Sequence, residues 1–151
     1  MYGHVGAVLG DKGRHVYTIE PTATVREAVG VMNEHGVGAL LVVERERPAG
    51  IFTERDVLRR VVGPGLHAAV ARVGEVMTTD LVTVSPQMRV EEAMAIVTNR
   101  RLRHLPVMED GKIVGMLSSG DLMRWVSLHQ EEHIRRMADY ITGAEPVGAS
   151  R

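Results

Sequence analysis

The 151-residue chain contains no cysteine, so it has no disulfide, no thiol chemistry and no thiolate metal site. That absence fits a cytoplasmic location, the one expected here. Aromatic residues are also scarce, with one Phe, one Trp and three Tyr. Any core must therefore rest on Val, Leu, Ile, Ala and Met, and the stacking platforms of single-strand nucleic-acid binders are missing. Neither sign of charge is in excess: 18 basic residues face 19 acidic ones. No global field draws the chain toward nucleic acid or an anionic membrane, and neither is expected as a partner. Long apolar runs are missing too, and nothing approaches the length that spans a bilayer. The stretch Val5 to Leu9 is too short for a signal peptide and has no basic lead. This length allows one good core, or two small lobes that share one.

What is present is a duplication. Residues Thr18 to Val62 and Thr83 to Ser127 share one design at a constant offset (83 − 18 = 65) with no gap. Thr18/Thr83, Pro21/Pro86, Leu40/Leu105, Gly50/Gly115 and Asp56/Asp121 are among the identical pairs. The chain then divides into a lead segment (1–17), repeat 1 (18–65), a connector (66–82), repeat 2 (83–127) and a C-terminal helix and tail (128–151). Two equal lobes related by a pseudo-twofold axis, with symmetric clefts between them, are expected.

Each repeat reads β-α-β-β-α, an α/β (α+β) pattern. In the first, His15 to Ile19 predicts a strand that Pro21 ends. Thr24 with Glu27 forms a capping box, Val25, Ala28, Val29 and Met32 mark one helical face, and Gly36 stops the helix. Val37 to Val43 predicts a buried strand, Arg45 to Pro48 a turn and Ala49 to Phe52 the next strand. A closing helix from about Thr53 is expected to bury Val57, Leu58 and Val61. The second repeat predicts a strand at Leu81 to Val84, a helix at Val90 to Asn99 and a strand at Arg103 to Met108. Glu109 to Lys112 makes a hairpin turn into Ile113 to Leu117, and a helix spans Asp121 to Ser127. Leu66 to Met77 predicts a helical connector. A polar amphipathic helix should run past Ser127 to about Ile141, and Gly143 to Arg151 should be frayed.

Thr53-x-x-Asp56 and Ser118-x-x-Asp121 each end a strand and open a helix. Hydroxyl and acid at that spacing are a helix-capping signature. The same corner can hold a nucleotide: free amides and a hydroxyl suit a phosphate, while the acid accepts hydrogen bonds from vicinal ribose hydroxyls. Both readings can hold, one for the empty state and one for the filled.

The doubled β-α-β-β-α pattern, closed each time by Gly-x-x-Thr/Ser-x-x-Asp, resembles the tandem cystathionine-β-synthase (CBS) domain pair, or Bateman module. The resemblance covers about Thr18 to Ser127 and includes Val76-Met77-Thr78, similar to the lead into a second repeat. It implies a disk-like homodimer and a non-catalytic regulatory module that binds adenine nucleotides between the repeats. AMP or NAD is the leading ligand, with ADP and ATP possible; a sensor of S-adenosylmethionine is the alternative. By the same resemblance Thr53 and Ser118 face phosphate, and Asp56 and Asp121 bind ribose. Val37, Gly38, Ala39 and Ile51 border the base, Thr78 and Thr79 follow the lead, and Arg55, Arg103 and His104 are the polar candidates near phosphate. Strand alternation would send Arg103 and His104 to opposite faces, so that only one of them enters a given cleft. Gly120 stands where the first motif has Arg55, and Asp11-Lys12-Gly13-Arg14 stands where the first repeat's Met-Thr lead would be. The two clefts should therefore differ.

Other features carry less. His129-x-x-Glu132-His133 fits a zinc-peptidase pattern but has no third ligand in view, so no metal is expected. Met32, Met94, Met108, Met116 and Met123 read as packing, with some scope for adaptable interfaces. The faces at Val29 to Met32 and Leu58 to Val62 are the interface candidates, and an unidentified regulated protein is a possible partner. An adaptor with degenerate clefts, acting through the C-terminal helix, is the competing class.

Overall fold

The structure is a computed structural model and describes residues 1–142. In the first repeat, β1 (Thr18–Ile19) pairs in parallel with β2 (Ala39–Glu44), which pairs antiparallel with β3 (Arg47–Thr53). Between β1 and β2 runs α2 (Val25–His35). It opens on the Thr24–Glu27 capping box and ends at Gly36, in the left-handed conformation (φ 63°) that glycine tolerates without strain. The second repeat copies this with α5 (Val90–Arg100), β4 (His104–Glu109) and β5 (Lys112–Ser118). Even the β-bulge recurs, after Val42 in β2 and after Val107 in β4.

Several expectations are revised. The strand at His15 to Ile19 narrows to two residues, and the one at Leu81 to Val84 shrinks to a single parallel bridge from Val84 to Val107. The Leu81 amide is instead turned back on the Thr79 carbonyl. The strand expected from Ala49 begins earlier, at Arg47, because the tight turn is Arg45-Glu46, both at positive φ. Leu66 to Met77 is helical only at α4 (Val73–Val76). The rest spends its backbone bonds on repeat 1: Val25 N–H donates to the Ala71 carbonyl, Val73 N–H to the Ala23 carbonyl. After β3 a short α3 (Glu54–Asp56) passes into a π-helical turn at Val57–Val62. On that turn Leu58 is exposed while Val61 stays buried. The two helices expected after Ser118 are one continuous α6 (Ser119–Thr142). Met123 on it is exposed and not packed in the core, whereas Met32 lies in the core and not on an interface face. The segment expected to fray, Gly143 to Arg151, lies outside the described residues.

The stretch Val5 to Leu9, set aside above as a short apolar run, begins α1 (Val5–Lys12). Val5, Val8 and Leu9 are buried with Val84, Val90, Ala93, Leu105, Val107, Leu117 and Leu122, the core of repeat 2. In the same way Ala71, Val73 and Val76, which precede repeat 2, are buried in the core of repeat 1 with Leu40, Val42 and Phe52. Each lobe is thus closed by the lead segment of the other repeat. A third small cluster of Ala39, Leu41, Ile51 and Met116 joins the lobes, and the clefts open beside it.

Candidate functional site

The first cleft, a cavity of about 320 Å³, is lined by the end of β3 and the start of α3 on one side and by Leu102, Arg103 and His104 on the other. Its corner is closed by a capping box: Thr53 N–H donates to Asp56 Oδ2 (3.0 Å) and Asp56 N–H to Thr53 Oγ1 (3.3 Å). Asp56 Oδ1 accepts from the Thr78 hydroxyl (3.0 Å) and sits 3.7 Å from Arg60 Nε. Asp56, 5 % exposed, is the buried polar or charged residue among the described residues. A carboxylate is buried only when its lone pairs are met, and these bonds meet them. Ile51, Leu58 and Leu102 supply apolar wall, and Arg55, Arg59 and Arg103 supply positive charge.

The second cleft, about 300 Å³, is the symmetry mate. Ser118 N–H donates to Asp121 Oδ2 (2.8 Å) and Asp121 N–H to Ser118 Oγ (3.0 Å). The opposite wall is Val37, Gly38 and Ala39, the counterparts of Leu102, Arg103 and His104 at the repeat offset (102 − 37 = 65). The acid's third partner is the Lys12 ammonium, 2.5 Å from Asp121 Oδ2. Partial burial raises the Asp121 carboxyl, but the Lys12 and Ser118 hydrogen bonds outweigh it and hold the group below its ordinary range.

Gly38 and His104 line both clefts and form the wall between them. A Cβ on Gly38 would lie 2.9 Å from Glu54 Oε1 and 3.3 Å from His104 Cε1, so a larger residue in this wall would have to displace the Glu54 carboxylate. Burial pushes the His104 imidazole below its ordinary pKa; Glu54 pulls it back up, Lys12 pushes it down.

Of the residues singled out in the sequence, Gly38, Ile51, Thr53, Arg55, Asp56, Thr78, Arg103 and His104 line the first cleft. Val37, Gly38, Ala39, His104, Ser118 and Asp121 line the second. Thr79 lines neither. Arg103 and His104 do not diverge as strand alternation suggested, because Arg103 precedes β4 in a bend; both border the first cleft. Arg55 spans the lobes, donating from Nη1 to the Arg101 carbonyl at 2.7 Å. Sequence reasoning overlooked Lys12, Glu54, Arg59, Tyr17 and Met116 as cleft residues. In the HxxEH segment His129 stacks on Trp125, and its Nδ1 lies 2.9 Å from the Trp125 carbonyl oxygen. Among the described residues no group of three or more His, Asp or Glu side chains is placed to share a metal.

A doubled β-α-β-β unit with an acid-and-hydroxyl corner in each of two interlobe clefts defines a tandem-repeat pair. The family model described as the CBS domain matches residues 6–63 and 73–128, and the chain belongs to that family. It is 42% identical over 125 residues to the Arabidopsis thaliana "CBS domain-containing protein CBSX3, mitochondrial", covering 80% of this chain and 61% of the relative. It is 36% identical over 107 residues to CBS domain-containing protein YhcV of Bacillus subtilis, covering 71% of this chain and 76% of that one. The chain therefore spans less than two thirds of the Arabidopsis relative's length. Among solved structures, a putative signal-transduction protein with CBS domains from Burkholderia ambifaria superposes with TM-score 0.79 at 42% identity, over 82% of this chain and 93% of that one. Inosine-5′-monophosphate dehydrogenase of Korarchaeum cryptofilum is 34% identical over 110 residues, 72% of this chain but only 22% of that enzyme. No helix among the described residues is long and apolar enough to cross a membrane.

Proposed function

We propose that the chain is a regulatory module that senses an adenine nucleotide, AMP or NAD before ADP or ATP, in its first interlobe cleft and performs no chemistry on it. The observation that carries this reading is the composition of that cleft around one buried acid. Asp56 Oδ1, which accepts from the Thr78 hydroxyl, is the acceptor a diol would take over; Thr53 supplies a hydroxyl at a helix start, Arg59 and Arg103 positive charge, and Ile51 with Leu58 an apolar surface for a base. A cavity of about 320 Å³ lies at the small end of the range for small-molecule sites. The same fold, at 20% identity, has been solved as a CBS domain pair of protein MJ0100 with methylthioadenosine and S-adenosylmethionine, so this architecture can hold adenosyl compounds. A ligand that prefers one angle between the lobes would shift that angle, and a partner protein could read the change. A homodimer, a regulated partner and a cytoplasmic setting belong to this proposal.

The test is a thermal-shift panel of AMP, ADP, ATP, NAD and S-adenosylmethionine on the wild-type chain and on Asp56→Asn. A compound at about a hundred times its dissociation constant adds roughly 2.7 kcal/mol of stability. At least one adenine compound should raise the midpoint of the wild type, and Asp56→Asn should abolish that rise. The variant itself should lose about 1–3 kcal/mol, because the Thr53 amide and Thr78 hydroxyl lose a charged acceptor. A panel without any shift, or one that Asp56→Asn leaves unchanged, sinks the assignment.

A further inference from the structure

The two clefts present the same acid in the same box, yet its third partner differs. In the first, Thr78 makes two contacts: its hydroxyl donates to Asp56 Oδ1 at 3.0 Å and its amide to the Ile51 carbonyl at 2.9 Å. In the second, one side chain reaches both groups, though on the carboxylate it meets Oδ2, the oxygen that also accepts from the Ser118 amide. Lys12 Nζ lies 2.5 Å from Asp121 Oδ2 and donates to the Met116 carbonyl at 2.5 Å. Met116 is the counterpart of Ile51 (51 + 65 = 116), as Asp121 is of Asp56.

The cause lies in the lead segments. Val5 and Gly6 donate their amides to the Met88 and Pro86 carbonyls, while Val73 and Gly74 donate to those of Ala23 and Pro21. The acceptors are offset by 65 but the donors by 68 (73 − 5), so the first lead carries three more residues before its repeat. Helix α1 uses them to run on to Lys12, whereas α4 stops at Val76, so that Met77 packs on the core of repeat 1 and Thr78 lines the first cleft. Buried Val5, Val8 and Leu9 anchor α1, so the ammonium is presented from a fixed stem.

We propose that Lys12 is an internal occupant of the second cleft: its ammonium holds the Asp121 carboxylate that an adenosine would otherwise take, so nucleotide enters the first cleft alone until Lys12 is removed. The proposal rests on the reading of Asp56 and Asp121 as sugar ligands. A ribose hydroxyl and an ammonium both make charge-assisted bonds to a carboxylate, but only the ammonium brings a full opposite charge of its own, which makes it the stronger donor. The pair is also partly sheltered, with side chains 32% and 26% exposed, which limits screening by water and salt. An incoming diol must therefore displace the stronger donor, and binding there is weakened by the cost of doing so.

The test is titration calorimetry of the full-length chain with AMP, comparing wild type, Lys12→Met, Lys12→Thr (the side chain the other cleft carries) and Lys12→Met/Asp56→Asn. The wild type should bind one AMP per chain. Both single variants should bind two, with affinity at the second cleft raised at least about tenfold, the factor expected when a competitor of roughly 1.4 kcal/mol is removed. The double variant should keep one. Two AMP per wild-type chain, or still one in both folded Lys12 variants, overturns the proposal. So does a Lys12 variant that binds more weakly at this cleft, since Lys12 would then be a phosphate ligand. AMP binding only after Lys12 is replaced, and surviving Asp56→Asn, upholds the internal occupant while sinking the first-cleft reading; no binding to any variant sinks both. A rise in the Asp121 carboxyl pKa in Lys12→Met, followed by carbon NMR, checks the ion pair without any ligand; an unmoved value counts against it.

Discussion

His104 is the residue through which the two clefts meet, and its protonation is set by its surroundings. Burial disfavours the imidazolium and lowers the pKa, Lys12 and Arg103 push the same way, and the Glu54 and Asp121 carboxylates oppose them. With the folded value below the unfolded value of about 6.5, the folded chain binds fewer protons than the unfolded one near pH 6. The contribution to stability is therefore full above pH of about 6.5 and is lost as pH falls below that value and through the lower folded one. Asp121 has the opposite charge type but the same direction, since a depressed carboxyl stabilises above its ordinary value of about 3.9 and fails only below it. The urea midpoint of the wild type should drop between pH 7 and pH 5, and His104→Gln should flatten that slope while leaving the acid-side loss in place. Equal slopes in the two proteins would show that the wall imidazole is not held neutral by the fold.

At the level of elements, close packing between β-strands and lead segments decides which glycines are fixed. A Cβ on Gly50 would lie 2.6 Å from the Thr78 carbonyl oxygen, a backbone atom that cannot move without breaking its bridge to Ile51. A Cβ on Gly115 would lie 2.6 Å from Leu9 Cδ2, the end of a side chain that can change rotamer. Overpacking of this kind costs about 1–3 kcal/mol. Gly50→Ala should fall at the upper end and Gly115→Ala clearly below it in urea unfolding; the reverse order would mean that Leu9 is the more rigid neighbour. These identical glycines were readable as a repeat, and so were the capping corners, because hydroxyl, acid and strand pattern lie within a few neighbouring residues. The lead segments were not. A three-residue length difference removes them from the constant offset, so Lys12 aligns with Met77 by sequence while doing the work of Thr78 in space. Leu58 was misplaced for another reason: the face that buries Val61 leaves the residue after Val57 turned to solvent, as Met123 is at the same position of the regular helix α6.

For the whole molecule, that outward turn has a symmetric consequence. Leu58 and Met123 occupy equivalent positions in the two repeats (58 + 65 = 123) and are 63% and 62% exposed, with Val62 beside Leu58 equally exposed. Isolated exposed apolar residues are ordinary, but a pair that the pseudo-twofold axis generates forms the kind of surface a twofold dimer can cover. Neither side chain belongs to its own lobe's core clusters, so replacing them should leave folding intact and act on association, and at Leu58 on the first cleft as well. Stable association needs about 1,200–2,000 Å² of buried surface, and two charges at its centre would be desolvated without partners. In sedimentation velocity between roughly 1 and 100 µM, a range centred on the micromolar affinities of modest interfaces, the wild type should run as a dimer. Leu58→Glu/Met123→Glu should run as a monomer with an unchanged helical circular-dichroism spectrum. A wild type that stays monomeric throughout, or a double variant that still dimerises, would show that the two exposed side chains lie outside any interface between copies.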